Sequence, residues 1–241
     1  MTFVPALRAE WIKIRTLRSL VGGLVAVLLA TTAFSALAGL DDSGGQDSDP
    51  LFSAFFGVCF GQIAAVAFGA QAVSAEFRGG ALRVSLAAVP DRARWFLAKA
   101  VAVAGPVCVT GLVTGGASLA VGTSVLGARA NGLSRGEELR GVVGCAVYLT
   151  LMALFAVGLA AVLRSGVATL SILVPFLLIV SFVVGGASGT VADFLPDKAG
   201  QAVLHESADG GPGPWAGLGV TALWAAAALL AGAWSVRRRD A

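Results

Sequence analysis

Gly141-Val-Val-Gly-Cys-Ala-Val-Tyr-Leu-Thr-Leu-Met-Ala-Leu-Phe-Ala-Val-Gly-Leu-Ala-Ala-Val-Leu163 contains no Asp, Glu, Lys, Arg or His. A helix that crosses a bilayer needs about 20 predominantly apolar residues. A charge at its centre costs roughly 2.5–3.5 kcal/mol on insertion scales. This stretch is long enough and clean enough to be such a helix. Working outward from it, five more windows are free of charge: Ser19–Leu40, Pro50–Ala75, Ala100–Ala128, Ser165–Ala192 and Gly210–Val236. Six such windows predict an all-α polytopic membrane protein. They predict one transmembrane domain over residues 1–241, with spans at about 19–40, 51–74, 100–126, 141–163, 166–191 and 215–236.

The composition agrees. Hydrophobic residues make up 57% of the chain and charged residues 13%, with 32 glycines, where an ordinary soluble domain carries about 25% charged residues. The longest gap between windows, Glu76–Lys99, is too short for a soluble catalytic domain. The net charge of +3 would suggest nucleic acid in a soluble protein; here membrane topology explains it, and no nucleic-acid partner is expected. Cys59, Cys108 and Cys145 all fall inside apolar windows, an odd number without C-x-x-C spacing, and read as small packing residues. His205 is the only histidine, which excludes histidine-pair metal motifs. Ala36-Leu37-Ala38 resembles a signal-peptidase site, but the apolar stretch before it exceeds an ordinary h-region, so it reads as an uncleaved first span.

The charged islands orient the chain. Arg8, Lys13, Arg15 and Arg18, then Arg78, Arg83, Arg92, Arg94 and Lys99, then Arg164, and finally Arg237, Arg238 and Arg239 fall on one side. Only Arg129, Arg135, Arg140 and Lys198 fall on the other, where the loops are acidic. The positive-inside rule places both termini in the cytoplasm, as an even number of spans requires. Residues Pro5–Arg18 read as an amphipathic helix in the cytoplasmic headgroup layer. Its apolar stripe is Leu7, Trp11, Ile14 and Leu17, with Arg8, Lys13, Arg15 and Arg18 largely off it. The Glu76–Lys99 island reads as a short surface helix, a turn at Pro90 and a basic re-entry, Arg92, Arg94 and Lys99 serving as lipid anchors. The last outer segment, Asp193–Pro214, has room for a short helix at the outer interface, and Trp215 and Trp234 fit the aromatic belts. Two G-x-x-x-G runs, Gly57–Gly61 and Gly111–Gly115, allow close helix approach, within the chain rather than along a dimer seam. Gly185, Gly186 and Gly189 mark a bend in the fifth span.

The chemistry absent from the spans narrows the function. They hold no acid, base or histidine, the groups that proton-driven carriers use. No Ser–His pair, aspartate pair or metal motif within a span supports an intramembrane enzyme. Ser43-Gly44-Gly45-Gln46 copies part of an ABC ATPase signature but stands in a solvated turn, and the chain has no G-x-x-x-x-G-K-[ST]. The chain therefore reads as no enzyme, with no catalytic, metal or cofactor site. Energy for uphill movement of a solute would come from a separate ATPase acting on the Glu76–Lys99 island.

Two segments resemble one family. Ala6-Leu7-Arg8-Ala9-Glu10-Trp11-Ile12-Lys13-Ile14-Arg15-Thr16-Leu17-Arg18-Ser19 is similar to the N-terminus of actinobacterial ABC-2 type transporter permeases. Ser74-Ala75-Glu76-Phe77-Arg78-Gly79-Gly80-Ala81-Leu82-Arg83 looks like that family's E-[YF]-R-x-G-T pattern after the second span, with Ala81 where the family usually has Thr. Leu86-Ala87-Ala88-Val89-Pro90 and the basic re-entry follow in the same order. The resemblance implies a plasma-membrane exporter subunit that pairs with a second permease copy or a related permease and binds a cytoplasmic ATP-binding subunit, which alone uses ATP. It implies a coupling surface made by the interfacial helix and the first inner loop, to which Glu76, Phe77, Arg78, Gly79 and Gly80 would belong. The alternatives from the residues are a regulatory or immunity membrane protein without transport, and a secondary carrier.

Overall fold

The computed structural model describes residues 3–41, 49–79, 81–88, 91–180, 192–206 and 211–238. Gly80, the Ser43–Gln46 turn and the Gly185, Gly186 and Gly189 bend lie outside them. The described residues are helical, with no strand among them. In chain order the α-helices are α1 (Phe3–Thr16), α2 (Arg18–Asp41), α3 (Pro50–Phe55), α4 (Val58–Ser74), α5 (Ala81–Ala88), α6 (Arg92–Leu126), α7 (Arg135–Leu163), α8 (Gly166–Pro175), α9 (Pro196–Gln201) and α10 (Pro214–Arg238). One 3₁₀ turn, Ala75–Phe77, prolongs α4, and a π-helical turn, Phe176–Val180, prolongs α8.

Five helices are long and apolar enough to cross a membrane: Arg18–Leu40, Pro50–Phe77, Arg92–Leu126, Arg135–Leu163 and Pro214–Arg238. By length and composition the chain is a multi-pass membrane protein. They answer to the first, second, third, fourth and sixth windows. The fifth window is present as the shorter apolar helix Gly166–Ile179, and residues 181–191 of it lie outside the described ones.

Local chemistry sets the helix ends. Ser134 and Glu137 form a capping box at the start of α7: the Glu137 N–H donates to the Ser134 hydroxyl at 3.3 Å, and the Ser134 N–H donates to the Glu137 carboxylate at 2.8 Å. Arg164, at φ 53°, stops α7 in the left-handed region, and the Ser165 hydroxyl caps α8 by accepting from the Ala168 N–H. At α6 the Asp91 carboxylate accepts from the N–H groups of Ala93 and Arg94 at 3.0 and 3.2 Å. That cap starts α6 eight residues before the charge-free window, so Arg92, Arg94 and Lys99 belong to the helix itself.

Helix α7 is the centre of the bundle, packed by α4, α6 and α10. Tyr148, Leu149 and Met152 on α7, Phe68 on α4 and Phe55 on α3 are fully enclosed. In lipid, helix association rests on close packing rather than on apolar burial, and small residues permit it. Both G-x-x-x-G runs are used in this way within the chain. A side chain at Gly111 or Gly115 would press on the backbone of Ala146 or Val142 in α7, and one at Gly57 or Gly61 would overlap Thr31 in α2. Gly69 meets the backbone of Ala153, and Gly158 that of Ala228 in α10, by the same device. Most span hydroxyls bond their own helix, as Thr31 to the Val27 carbonyl and Thr150 to the Ala146 carbonyl, both at 2.7 Å.

The last outer segment does hold a short helix, α9, and packs it into the bundle. Pro196, Asp197, Ala199 and Gly200 of α9 are buried, as are Val203 and Leu204 just after it. Gly200 abuts the Tyr148 ring and Thr221, and Gly217 of α10 lies against the Ala199 carbonyl. Missing side chains on both partners let α9 sink between α7 and α10, and the Thr221 hydroxyl donates to the Pro196 carbonyl at 2.7 Å.

Candidate functional site

Helix α1 packs on α6 and α2, and its inward face differs from the expected stripe. Of the apolar stripe, Ile14 is buried and Leu7 half-buried in the bundle, whereas Trp11 and Leu17 are 43% and 44% exposed; Arg15, off the stripe, is exposed. The position between Leu7 and Ile14 on the buried face is taken by Glu10, at 5% exposure. One helical turn holds both readings, since positions 7, 10 and 14 and positions 7, 11 and 14 share a face to within one residue.

Glu10 is paired within α1 and across to α6. The Lys99 ammonium on α6 pairs with Glu10 and, at 2.8 Å, with Glu76 in the 3₁₀ turn after α4. The Lys13 ammonium on α1 pairs with Glu10 at 2.9 Å and with Glu76 at 2.8 Å. The second oxygen of Glu76 accepts from the Ser85 hydroxyl of α5 at 2.9 Å. Two carboxylates and two ammonium groups thus form a neutral ring, each carboxylate bonded to both lysines. Glu76 and Lys99 are 4% and 2% exposed. Lys99 also lies 5.8 Å from the centre of the Trp95 ring. A cavity of about 20 Å³ beside the ring, lined also by Leu17, Leu20 and Ala72, has room for about one water. Burial pulls the Lys13 ammonium down, but its hydrogen bonds and charge contacts with Glu76 and Glu10 outweigh that and hold its pKa above the ordinary lysine value.

Of the residues expected at a coupling surface, Glu76 is thus an interior ion-pair partner. Its carboxylate is taken by Lys13, Lys99 and Ser85. Phe77 is half-buried with the Arg164 guanidinium 5.6 Å over its ring. Arg78 and Gly79 are exposed. Gly79 turns the chain at φ 61°, a conformation that glycine adopts without steric cost. Lys99 is not a lipid anchor: its ammonium lies inside the protein because α6 begins before it and aims it at Glu10 and Glu76. Glu10 and Ser85 carry the site without having been singled out in the sequence. The available signal was Glu10 itself, the one acid on a basic helix, spaced three and four residues from the apolar Leu7 and Ile14.

The opposite end of the bundle carries a second polar knot. Asp49 caps α3, accepting from the Phe52 N–H at 2.9 Å. Its other oxygen meets His205 Nδ1 at 2.9 Å and accepts from the Glu206 N–H at 3.2 Å. The His205 ring stacks on Phe52 with centroids 4.1 Å apart, and Arg140 donates to the His205 carbonyl at 2.7 Å. Residues from all three outer segments are tied together in this way. Below the knot, Tyr148 donates to Gln62, Gln201 donates to Tyr148 at 3.1 Å, and Cys59 approaches Gln201 at 3.5 Å. Burial pushes the Asp49 carboxyl up, but its bonds to His205 and to two backbone N–H groups hold it below the ordinary carboxylate value. A carboxylate lowered in the folded state stabilises the fold above its ordinary pKa of about 4 and loses that contribution as pH falls through the lowered value. Asp49→Asn keeps the cap but removes the charge. It is expected to lower the thermal midpoint at neutral pH, with the difference from the parent closing below about pH 4. A gap that stays constant down to pH 3 would show that the charge of Asp49 contributes nothing.

The two ends are therefore chemically distinct. The basic islands gather at the ring end, where Arg92 also donates to the Val236 carbonyl at 3.2 Å and Arg238 lies over Trp234. The acidic outer segments gather at the Asp49 end. Comparison of the chain with protein-family models and with curated proteins gives no match.

Proposed function

We propose that this chain is the membrane-spanning permease subunit of an ATP-driven ABC-2 type exporter in the plasma membrane, with six spans and both termini in the cytoplasm. It pairs with a second permease copy and with a separate cytoplasmic ATP-binding subunit, which supplies the hydrolysis. The observation that supports this reading best is the Glu10–Lys13–Glu76–Lys99 ring. It joins the N-terminal helix, the turn after the second span and the start of the third span, the segments whose sequences resemble the family's coupling surface. A force on the exposed turn at Arg78 and Gly79 is passed by the ring to α1, α4 and α6 together. Such a rigid corner suits a subunit driven from outside: the charge-free windows hold no acid, lysine, arginine or histidine to couple an ion gradient, and both carboxylates of the ring are already paired with its lysines.

The test is purification of the tagged chain from its native host in mild detergent after crosslinking in membranes, with mass spectrometry of the associated proteins. The expected result is a stoichiometric protein with a P-loop and an L-S-G-G-Q signature. An intact, monodisperse chain crosslinked to no ATPase would reject the exporter reading in favour of a regulatory protein or a carrier.

A further inference from the structure

A groove runs along the outer side of the α1–α6 seam, one turn from the buried ring. Leu7, Trp11 and Ile12 of α1 form one wall, and Ala102, Gly105 and Pro106 of α6 the other. Its volume is about 470 Å³, comparable with that of one fatty-acyl chain. The lining is apolar except for Arg8, which stands at the edge. At residue 105 the groove is open space: a Cβ there would meet no atom within 4 Å. Val101 also lines the groove, and beyond it α6 continues as an exposed apolar stripe through Val109 and Val113. This is a surface suited to lipid.

Charge decides which lipid. Arg8 and Arg15 are exposed on α1, and Arg18 follows at the start of α2. The only acid on α1, Glu10, is turned inward and held by Lys13 and Lys99. The outward face of α1 therefore presents cations over an apolar groove with no carboxylate to oppose an anion. An amphipathic helix of this kind draws anionic lipid to its basic side. The geometry points to a binding site for one anionic phospholipid, its acyl chain lying in the α1–α6 groove and its phosphate at Arg8. Because Glu10 and Lys99 lie one turn away on the same two helices, the bound chain braces the seam that the ring closes.

The test is native mass spectrometry of the full-length chain, delipidated in maltoside detergent and titrated with palmitoyl-oleoyl phosphatidylglycerol or with phosphatidylcholine of the same chains. One phosphatidylglycerol per chain is expected to persist at collision energies that strip phosphatidylcholine. Arg8→Glu is expected to lower its occupancy about tenfold, a loss of roughly 1.4 kcal/mol. Gly105→Trp, which fills the groove, is expected to remove binding of both lipids. Gly116→Trp, on the same helix and also facing open space, is expected to retain it. Phosphatidylglycerol is expected to raise the thermal midpoint of the parent and of Gly116→Trp but not of Gly105→Trp. Undiminished lipid on Gly105→Trp would overturn the site. Equal retention of the two lipids, unchanged by Arg8→Glu, would overturn its anionic character. Conversion of a dimer to a monomer by Gly105→Trp, with lipid unaffected, would assign the groove to a second copy of the chain instead.

Discussion

Lys99→Met destabilises the folded chain by about 3–5 kcal/mol, the range for removing one partner of a buried ion pair. The loss exceeds that of any exposed arginine because Lys99 is shared. Its ammonium is bonded to Glu10 and to Glu76, both of which are buried. With Lys99 gone, two buried carboxylates face one half-exposed lysine, and the ring carries a net negative charge at a largely buried position. The side chain of Met is close to that of Lys in length, so the loss is electrostatic rather than a cavity. A second substitution separates the two. In Glu10→Gln/Lys99→Met the ring is neutral again, with Lys13 opposite Glu76, and most of the stability is expected to return. Thermal unfolding in mild detergent, followed by tryptophan fluorescence, reads both. Lys99→Met within about 1 kcal/mol of the parent would mean that the ring is solvated and does not hold the corner. Failure of the double variant to recover would mean that the net charge of the ring does not set the loss, and that the bonds Lys99 makes to Glu10 and Glu76 hold the corner themselves.

The architecture was legible where physics is one-dimensional. A charge-free window of spanning length has one reading, and five of the six windows appear as helices long enough to cross a membrane. The glycine runs were legible too, because a glycine repeated on one face of an apolar helix has few uses other than close approach. The ring was not legible from spacing. Its members stand at positions 10, 13, 76 and 99, and only the packing of α1 on α6 brings them together. Charge counting assigned Lys99 to the lipid headgroups, since it stood at the edge of an apolar window. The edge of the window is not the edge of the helix: Asp91 starts α6 earlier and carries Lys99 inside. The burial of α9 was hidden for a related reason. The segment shows room for a short helix but nothing of its partner, whereas Gly200 and Gly217 are what let it pack between α7 and α10. Those glycines carry no signal until the partner helix is known.

The same distinction between edge and interior separates two charge reversals that look equivalent in sequence. Glu76→Lys and Arg78→Glu are two residues apart in the stretch that resembles the coupling motif. Glu76→Lys places a third ammonium in a ring that already holds Lys13 and Lys99. It is expected to cost several kcal/mol and to lower the thermal midpoint whether or not an ATPase is present. Any loss of partner binding in that variant reports a broken corner. Arg78 is exposed, at the rim of the Gly79 turn, and a change there is expected to stay within about 0.5 kcal/mol in stability. On the proposed function, Arg78→Glu sets a negative charge against a surface complementary to a positive one. Like charges brought together at an interface cost several kcal/mol, so the ATPase recovered with the chain is expected to fall at least about tenfold, at an unchanged thermal midpoint. Full recovery of the ATPase with Arg78→Glu would remove this turn from the coupling surface and leave α1 as the candidate. A fall in thermal midpoint for Arg78→Glu equal to that of Glu76→Lys would mean that the turn belongs to the folded core and presents no docking charge.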